Sequence, residues 1–390
     1  MDPIRNPYAP GAGQRPPELA GRAEQLRHFD VVIERVSRGR PERSLILTGL
    51  RGVGKTVLLN ALRGKAVRAH WGTGKLEARP EQNLRRPLGA ALHMAIRELG
   101  HPDVDQALGT VRAFIERDAK PGSKLAERWN PGISTPATKG RADSGDIEID
   151  LVELFSDLGG LAADMGVGIA VFIDEMQDLD AADVSALCAA CHEISQQGLP
   201  FIVVGAGLPH LPAVLSASKS YSERLFSYQR IDRLDRAAAD QALQAPAHDE
   251  DAEWSGEALD AMYGTTGGYP YFIQAYGKAV WDVATASPIT PDDVQVGTPD
   301  AADELAVGFF GSRFERATPA EREYLRAMAE LSEDDAEVAS SEVAQALGRK
   351  PQSLSPARDA LMKKGLVYSG ERGKVAFTVP HFGRYLRGQP

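Results

Sequence analysis

Eight residues constrain this chain more than any others. Gly49-Leu50-Arg51-Gly52-Val53-Gly54-Lys55-Thr56 satisfies G-x-x-x-x-G-K-[ST] at every fixed position. Glycines at both ends let the backbone curl until several N–H groups point at one centre, and a helix opening at Lys55 adds the positive end of its dipole. Such a loop has to follow a strand and start a helix. Its flanks fit: Ser44 to Thr48 (SLILT) is a short apolar run, as in a strand buried on both faces, and a helical stretch runs from Lys55 to about Arg68. The residues Gly49 to Thr56, with Val57 next in the helix, are therefore expected to cradle phosphate. Lys55 reaches the β- and γ-phosphates of a nucleotide and Thr56 gives an oxygen to Mg²⁺. The similar-looking Gly72-Thr73-Gly74-Lys75 has Ala69 in the first glycine position and no Ser or Thr after the lysine.

Around the loop the chain alternates strand and helix patterns, which implies a parallel α/β sheet covered on both faces. After a Pro/Gly-rich arm (1–18), Leu26, Phe29, Val32, Ile33 and Val36 recur at helical spacing. Trp71 to Ala78 predicts a strand, Leu84 to Leu99 a helix, Ile147 to Met165 a helix, and Ile169 to Ile173 and Phe201 to Val204 strands. Residues from about 100 to 144 read as an insertion, with one amphipathic helix (Val111, Phe114, Ile115) and then a loop that is either a partner surface or a flexible tether. The base is thus 19–234. From Asp235 to Thr318 the pattern is all-helical, interrupted by Gly267-Gly268-Tyr269-Pro270, and a third unit spans 319–390.

Ala170-Val171-Phe172-Ile173-Asp174-Glu175 ends an apolar strand in two carboxylates. Asp174 at the strand end suits a water-bridged Mg²⁺, and Glu175 suits polarisation of an attacking water. Having both favours hydrolysis over binding alone.

These motifs resemble those of AAA+/STAND-type P-loop ATPases, and more narrowly of archaeal and actinobacterial ATPases related to origin-recognition proteins. Leu19-Ala20-Gly21-Arg22-Ala23-Glu24 resembles the family element that encloses adenine. Asp174-Glu175-Met176-Gln177 resembles a Walker B variant, and Thr266-Gly267-Gly268-Tyr269-Pro270-Tyr271 resembles the lid motif near the nucleotide. The resemblance implies ATP and Mg²⁺ as cofactors, an α/β base with a helical lid, and Gly21, Arg22, Tyr269 and Pro270 near the nucleotide. Tyr221-Ser222-Glu223-Arg224-Leu225-Phe226 sits where the family carries a finger arginine, which makes Arg224 a candidate for stabilising transition-state charge in a homo-oligomer; the alternative is a surface or structural arginine. Two departures stand out. The strand Phe201 to Val204 runs into Gly205-Ala206-Gly207 where the family usually has Asn, Ser or Thr, and no arginine lies near Tyr271. Both point to a slow switch rather than a motor.

The last unit reads as a winged helix. Ser340 to Gly348 is a short capped helix, and Gln352 to Lys364 is a second helix with Leu354, Ala357 and Leu361 inward. Two strands follow around Ser369 to Lys374. The whole chain carries −10, with a pI near 5.4, which alone argues against nucleic acid. The charge is segregated, however. Residues 340–390 hold nine Lys/Arg and three Asp/Glu, a net +6, leaving −16 for the rest. Double-stranded DNA is therefore the expected partner, with Arg349, Lys350, Gln352, Ser353, Arg358, Arg372 and Lys374 as contacts. The rival is a STAND-type signalling switch whose winged helix makes protein contacts.

Other classes are disfavoured. No apolar run approaches the ~18 residues that span a bilayer, and Met1 to Leu19 has no hydrophobic core of a signal peptide, so the cytoplasm is expected. Cys188-Ala-Ala-Cys191-His192 matches haem-attachment and redox spacings, but the absence of a second cysteine pair and of an export signal predicts buried structural cysteines, with no haem or zinc.

Overall fold

The computed structural model describes residues 1–11, 13–99, 104–117, 135–332, 336–371 and 373–389. Its centre is a parallel five-stranded sheet of β1 (Ser44–Thr48), β2 (Gly72–Glu77), β3 (Ile169–Asp174), β4 (Phe201–Gly207) and β5 (Phe226–Arg230), in the order β2-β3-β4-β1-β5. Side chains alternate along a strand, so each face builds its own core. Ile46, Ile169, Val171, Ile173 and Val203 pack on one side with helices Arg85–Leu99, Ile147–Asp164 and Ala181–Gln197. Leu45, Leu47, Ala170, Phe172, Ile202 and Val204 pack on the other with Ala23–Ser37 and Lys55–Arg68. Burial on both faces is why these strands are continuous apolar runs rather than alternating ones.

The strand order places the carboxyl end of β4 between those of β1 and β3. The phosphate loop and Asp174 therefore flank Gly205-Ala206-Gly207, which extends β4 beyond the Val204 expected from the sequence. These glycines have a packing reason. A Cβ on Gly205 would sit 2.0 Å from the Met176 sulfur, and one on Gly207 would sit 2.8 Å from Gln177 Oε1. The turn after β3 lies directly on β4, and only bare backbone leaves room for it.

The helical half of the expected insertion is core. Val104–Glu116 buries Val111, Phe114 and Ile115 in the cluster under the sheet. Nearby, the buried Arg85 and Asp150 pair at 2.5 Å. The returning chain is held by Thr138 N–H donating to Gly109 O at 3.0 Å. Residues 118–134 of the expected loop lie outside the described residues.

Beyond β5 come helices Arg236–Asp249, Gly256–Thr266, Pro270–Val283 and Pro291–Glu304. Their core of Leu243, Trp254, Met262, Trp281 and Val294 also takes in Tyr8 from the N-terminal arm. A π-helical turn, Leu305–Gly311, and a short helix, Ser312–Glu315, lead to helix Pro319–Leu331. The C-terminal module then runs β6 (Val338–Ala339), helices Ser340–Ala346 and Pro351–Lys363, β7 (Val367–Tyr368), β8 (Lys374–Phe377) and helix Phe382–Arg387, with the small sheet ordered β6-β8-β7. The short β6 and the last helix escape the sequence pattern because both are too short to show a period. The module's core includes Phe272 from the preceding helical unit, and Leu305 and Phe310 from the π turn.

Cys188 and Cys191 are both buried, and burial pushes the Cys188 thiol up to about 12 and Cys191 up as well. Among the described residues no helix is long and apolar enough to cross a membrane.

Candidate nucleotide site

The loop geometry follows from its glycines. Gly52 and Gly54 have φ of +81° and +89°, and a Cβ on Gly49 would lie 2.1 Å from Ile231 O. Gly54 is also the N-cap of helix Lys55–Arg68, so the helix N-terminus opens where the motif closes. The Lys55 ammonium is buried and donates to the carbonyls of Gly49 (2.8 Å) and Leu50 (2.7 Å). Burial pulls it down to about 8, which marks a cation whose charge an adjacent phosphate would stabilise. Thr56 and Val57 line the same cavity.

Arg22 braces the loop from behind. One of its nitrogens donates to Val53 O (3.0 Å) and Asp232 O (2.7 Å). Gly21 precedes it at φ +67°, where a Cβ would meet Ala238 at 2.9 Å. From the helical unit, Pro270 and Tyr271 line the cavity, and Tyr271 N–H donates to Gly52 O (3.2 Å). Tyr269 does not line it. Its ring instead lies edge-on to Phe272 (6.0 Å) and His381 (5.6 Å), towards the C-terminal module. The tyrosine at the cavity is Tyr271, because Pro270 starts a helix that turns the two neighbours to opposite sides.

Asp174 is buried at the end of β3, and its Oδ1 accepts the Glu175 N–H (3.0 Å). Glu175 has φ +52° and ψ +41°, a left-handed conformation costing about 1 kcal/mol or more for a residue with a side chain. It is held there from both sides. Arg51 approaches Oε1 at 3.1 Å, and Gln177 Nε2 donates to Oε2 at 2.6 Å. Gln177 Oε1 in turn accepts Leu208 N–H (3.0 Å), just past the end of β4. The glycine-ended strand thus meets the acidic turn through Gln177, where the sequence reading looked for a polar side chain on the strand.

These elements enclose a cavity of about 410 Å³ between base and helical unit, a size that suits a nucleotide. Two contributors were not foreseen. The N-terminal arm forms one wall, and Arg313 enters from beyond the π turn. The Arg313 guanidinium sits 4.3 Å over the Phe309 ring and donates to Phe309 O. Burial, then the nearby Arg51 and Arg316, lower it to about 10, while Glu175 acts in the opposite sense. The absence of an arginine near Tyr271 is thus answered by one some forty positions further along the chain. No local pattern in the sequence marks it.

Arg224 lies exposed on the short helix Ser222–Leu225 and does not line this cavity. Of the expected DNA contacts, Lys350, Gln352 and Ser353 are exposed where helix Pro351–Lys363 begins. Arg349 pairs with Glu323 (2.9 Å), Arg358 with Asp359 (3.1 Å) and Lys374 with Glu371 (2.6 Å). Arg372 lies outside the described residues.

The module also touches the phosphate loop. Arg51 N–H donates to Thr378 O at 2.8 Å. A Cβ on Gly365 would be 2.9 Å from the Arg51 guanidinium. Residues 18–204, which contain the loop, the acidic turn and most of the sheet, are matched by the AAA ATPase domain family. The fold is that of an AAA-like P-loop NTPase. A second family, a domain of unknown function (DUF8462), matches residues 307–386, from within the π turn to the last helix. No curated protein matches the sequence. Among solved structures, the Walker-type ATPase of Pyrococcus abyssi is 15% identical, covers 96% of this chain and 97% of its own, and has a TM-score of 0.58. At that identity the likeness is one of fold. The Thermotoga maritima RuvB Holliday junction branch migration motor is 17% identical over 97% of this chain and 100% of its own, at a TM-score of 0.45. Aeropyrum pernix ORC1, solved in complex with DNA, is 13% identical over 96% and 94%, at 0.44.

Proposed function

We propose that this ATPase-domain protein binds and hydrolyses ATP, and that its nucleotide state sets the position of a winged-helix module that binds double-stranded DNA. One observation carries the coupling: Arg51, inside the phosphate loop, holds Glu175 with its guanidinium and Thr378 of the module with its backbone N–H. A γ-phosphate beside Lys55 competes for the Arg51 guanidinium. Moving Arg51 to phosphate frees the Glu175 carboxylate to accept a proton from water, and it alters the contact with Gly365 at the same time. Nucleotide and module thereby read one side chain. A ligand shifts such an equilibrium only through its different affinity for the two arrangements, and Arg51 supplies that difference.

The donor set suits Mg²⁺, which in such sites takes few protein ligands. Thr56 and Asp174 would hold it. When bound, Mg²⁺ would neutralise phosphate charge. Asp174 is already fixed by its bond to the Glu175 N–H.

Support for DNA is the +6 charge of residues 340–390, with Lys350, Gln352 and Ser353 exposed at the start of a helix. The test is fluorescence anisotropy with duplex DNA across a salt series, with ATP, ADP or neither, for the full chain and for Lys350→Glu/Lys374→Glu. Binding should differ between ATP and ADP. The double reversal should weaken it about tenfold and lower the salt slope by about two. Equal binding in every nucleotide state refutes coupling, and an unchanged affinity and slope refutes the DNA surface.

A second reading has its own observation. Arg349, Arg358 and Lys374 are already ion-paired within the chain, which lowers their value to a phosphate backbone. In that reading the module makes protein contacts and ATP drives homo-oligomer assembly, with the exposed Arg224 reaching a neighbour's nucleotide. Light scattering showing an ATP-dependent mass increase without DNA binding would select it.

A further inference from the structure

We propose that the N-terminal arm, Tyr8–Gly11 and Gly13–Leu19, is the third wall of the nucleotide cavity and the gate through which nucleotide enters and leaves. The inference rests on the cavity being a nucleotide site.

The first end of the arm is fastened to the helical unit. Tyr8 is 3% exposed. Its hydroxyl donates to Leu243 O (2.6 Å) and accepts from the Trp254 indole N–H (2.7 Å). Its ring lies edge-on to Trp254 (6.1 Å) and Trp281 (6.2 Å). Asn6 adds two bonds to helix Pro270–Val283, to Lys278 O (2.9 Å) and Asp282 Oδ1 (2.7 Å). Ala9 N–H donates to Oε1 of Gln274, a cavity-lining side chain (3.1 Å).

The other end is fastened to the base. Leu19 and Ala20 line the cavity and run into Arg22, which clamps Val53. Between these ends Gly13 lies so close to Thr56 that a Cβ would be 3.1 Å from its methyl group. The arm thus crosses from one wall of the cavity to the other, over the loop that would hold phosphate.

Its composition fits that course. Pro7, Pro10, Pro16 and Pro17 carry no N–H that needs a partner, and they stiffen an extended path. Gly11 and Gly13 bring backbone close to the cavity without side chains. A segment tied at both ends to two bodies opens its side of the cavity when one of those ends detaches. The helical-unit end is the one made of separable side-chain contacts, whereas the other is continuous with the helix Ala23–Ser37.

The experiment is stopped-flow association and displacement of a fluorescent ADP analogue on the full chain, with Tyr8→Ala and Asn6→Ala. Binding by the wild type tests the nucleotide reading; its failure would sink that reading and is distinct from the outcomes that follow. A gate predicts that both variants speed association and release together, by about tenfold for Tyr8→Ala and less for Asn6→Ala, with the dissociation constant changed by less than twofold. Thermal melting checks that each variant is folded, and Asn6→Ala carries the test if Tyr8→Ala is not. Unchanged rates overturn the proposal. Faster release with an equal loss of affinity also overturns it, leaving the arm as a wall without gating.

Discussion

Replacing Glu175 with Gln is expected to lower ATP turnover about 10³-fold while leaving ATP bound. The carboxylate lines the cavity in contact with Arg51 of the phosphate loop and can take a proton from water, and its amide cannot. General-base catalysis accounts for about 10²–10⁴-fold in rate. The backbone supports a specific role. Glu175 is kept left-handed, and Gln177 fixes it to the end of β4, so its position is set by the sheet rather than by its own preference. Binding should survive because Lys55, Thr56 and the glycine turns are untouched, although the bond from Arg51 is weakened. Steady-state phosphate release and equilibrium titration with a labelled ATP analogue check both halves. Near-normal turnover would remove Glu175 from the chemistry, and loss of binding would make it structural.

The second large effect is expected at Arg313. Its guanidinium stands at the cavity beside Arg51 and Glu175, and burial lowers it to about 10, which still leaves it charged near neutrality. A hydrogen bond to a charged group is worth about 1.5–3 kcal/mol. Arg313→Ala should therefore cost between about 10- and 100-fold in affinity for ATP and little for ADP. Arg313→Lys should recover part of the loss, since charge is kept and the planar fork is not. Competition titrations with ATP and ADP measure the ratio. An equal loss for both nucleotides would show that Arg313 supports the wall of the cavity and does not distinguish the terminal phosphate.

What could be seen in the sequence was local. The phosphate loop, its strand and its helix are set by neighbours within a few positions, and β1 and the helix Lys55–Arg68 lie where spacing places them. The acidic turn follows from one apolar run. The residues that escaped notice act over long separations. Tyr8 meets Trp254 and Leu243, and Arg313 meets a loop some 260 positions earlier, pairings that no periodicity encodes. The Gly205-Ala206-Gly207 run looked like a missing polar group because its reason, the seat of Met176 and Gln177, lies in the turn after β3, some thirty positions earlier. Tyr269 and Tyr271 were separable only once the helix starting at Pro270 gave them opposite directions.

Helix Pro270–Val283 begins at the cavity wall, and its third residue, Phe272, is embedded in the C-terminal core beside Phe310. The C-terminal module is therefore not a portable cassette. Cutting the chain before Pro319 would uncover Phe272, Phe309 and Phe310 and take Thr378 away from Arg51, so the cavity wall that includes Tyr271, Phe309 and Arg313 would lose the packing behind it. Exchange of modules between proteins of this design would require the partner surface on that one helix to be inherited with them.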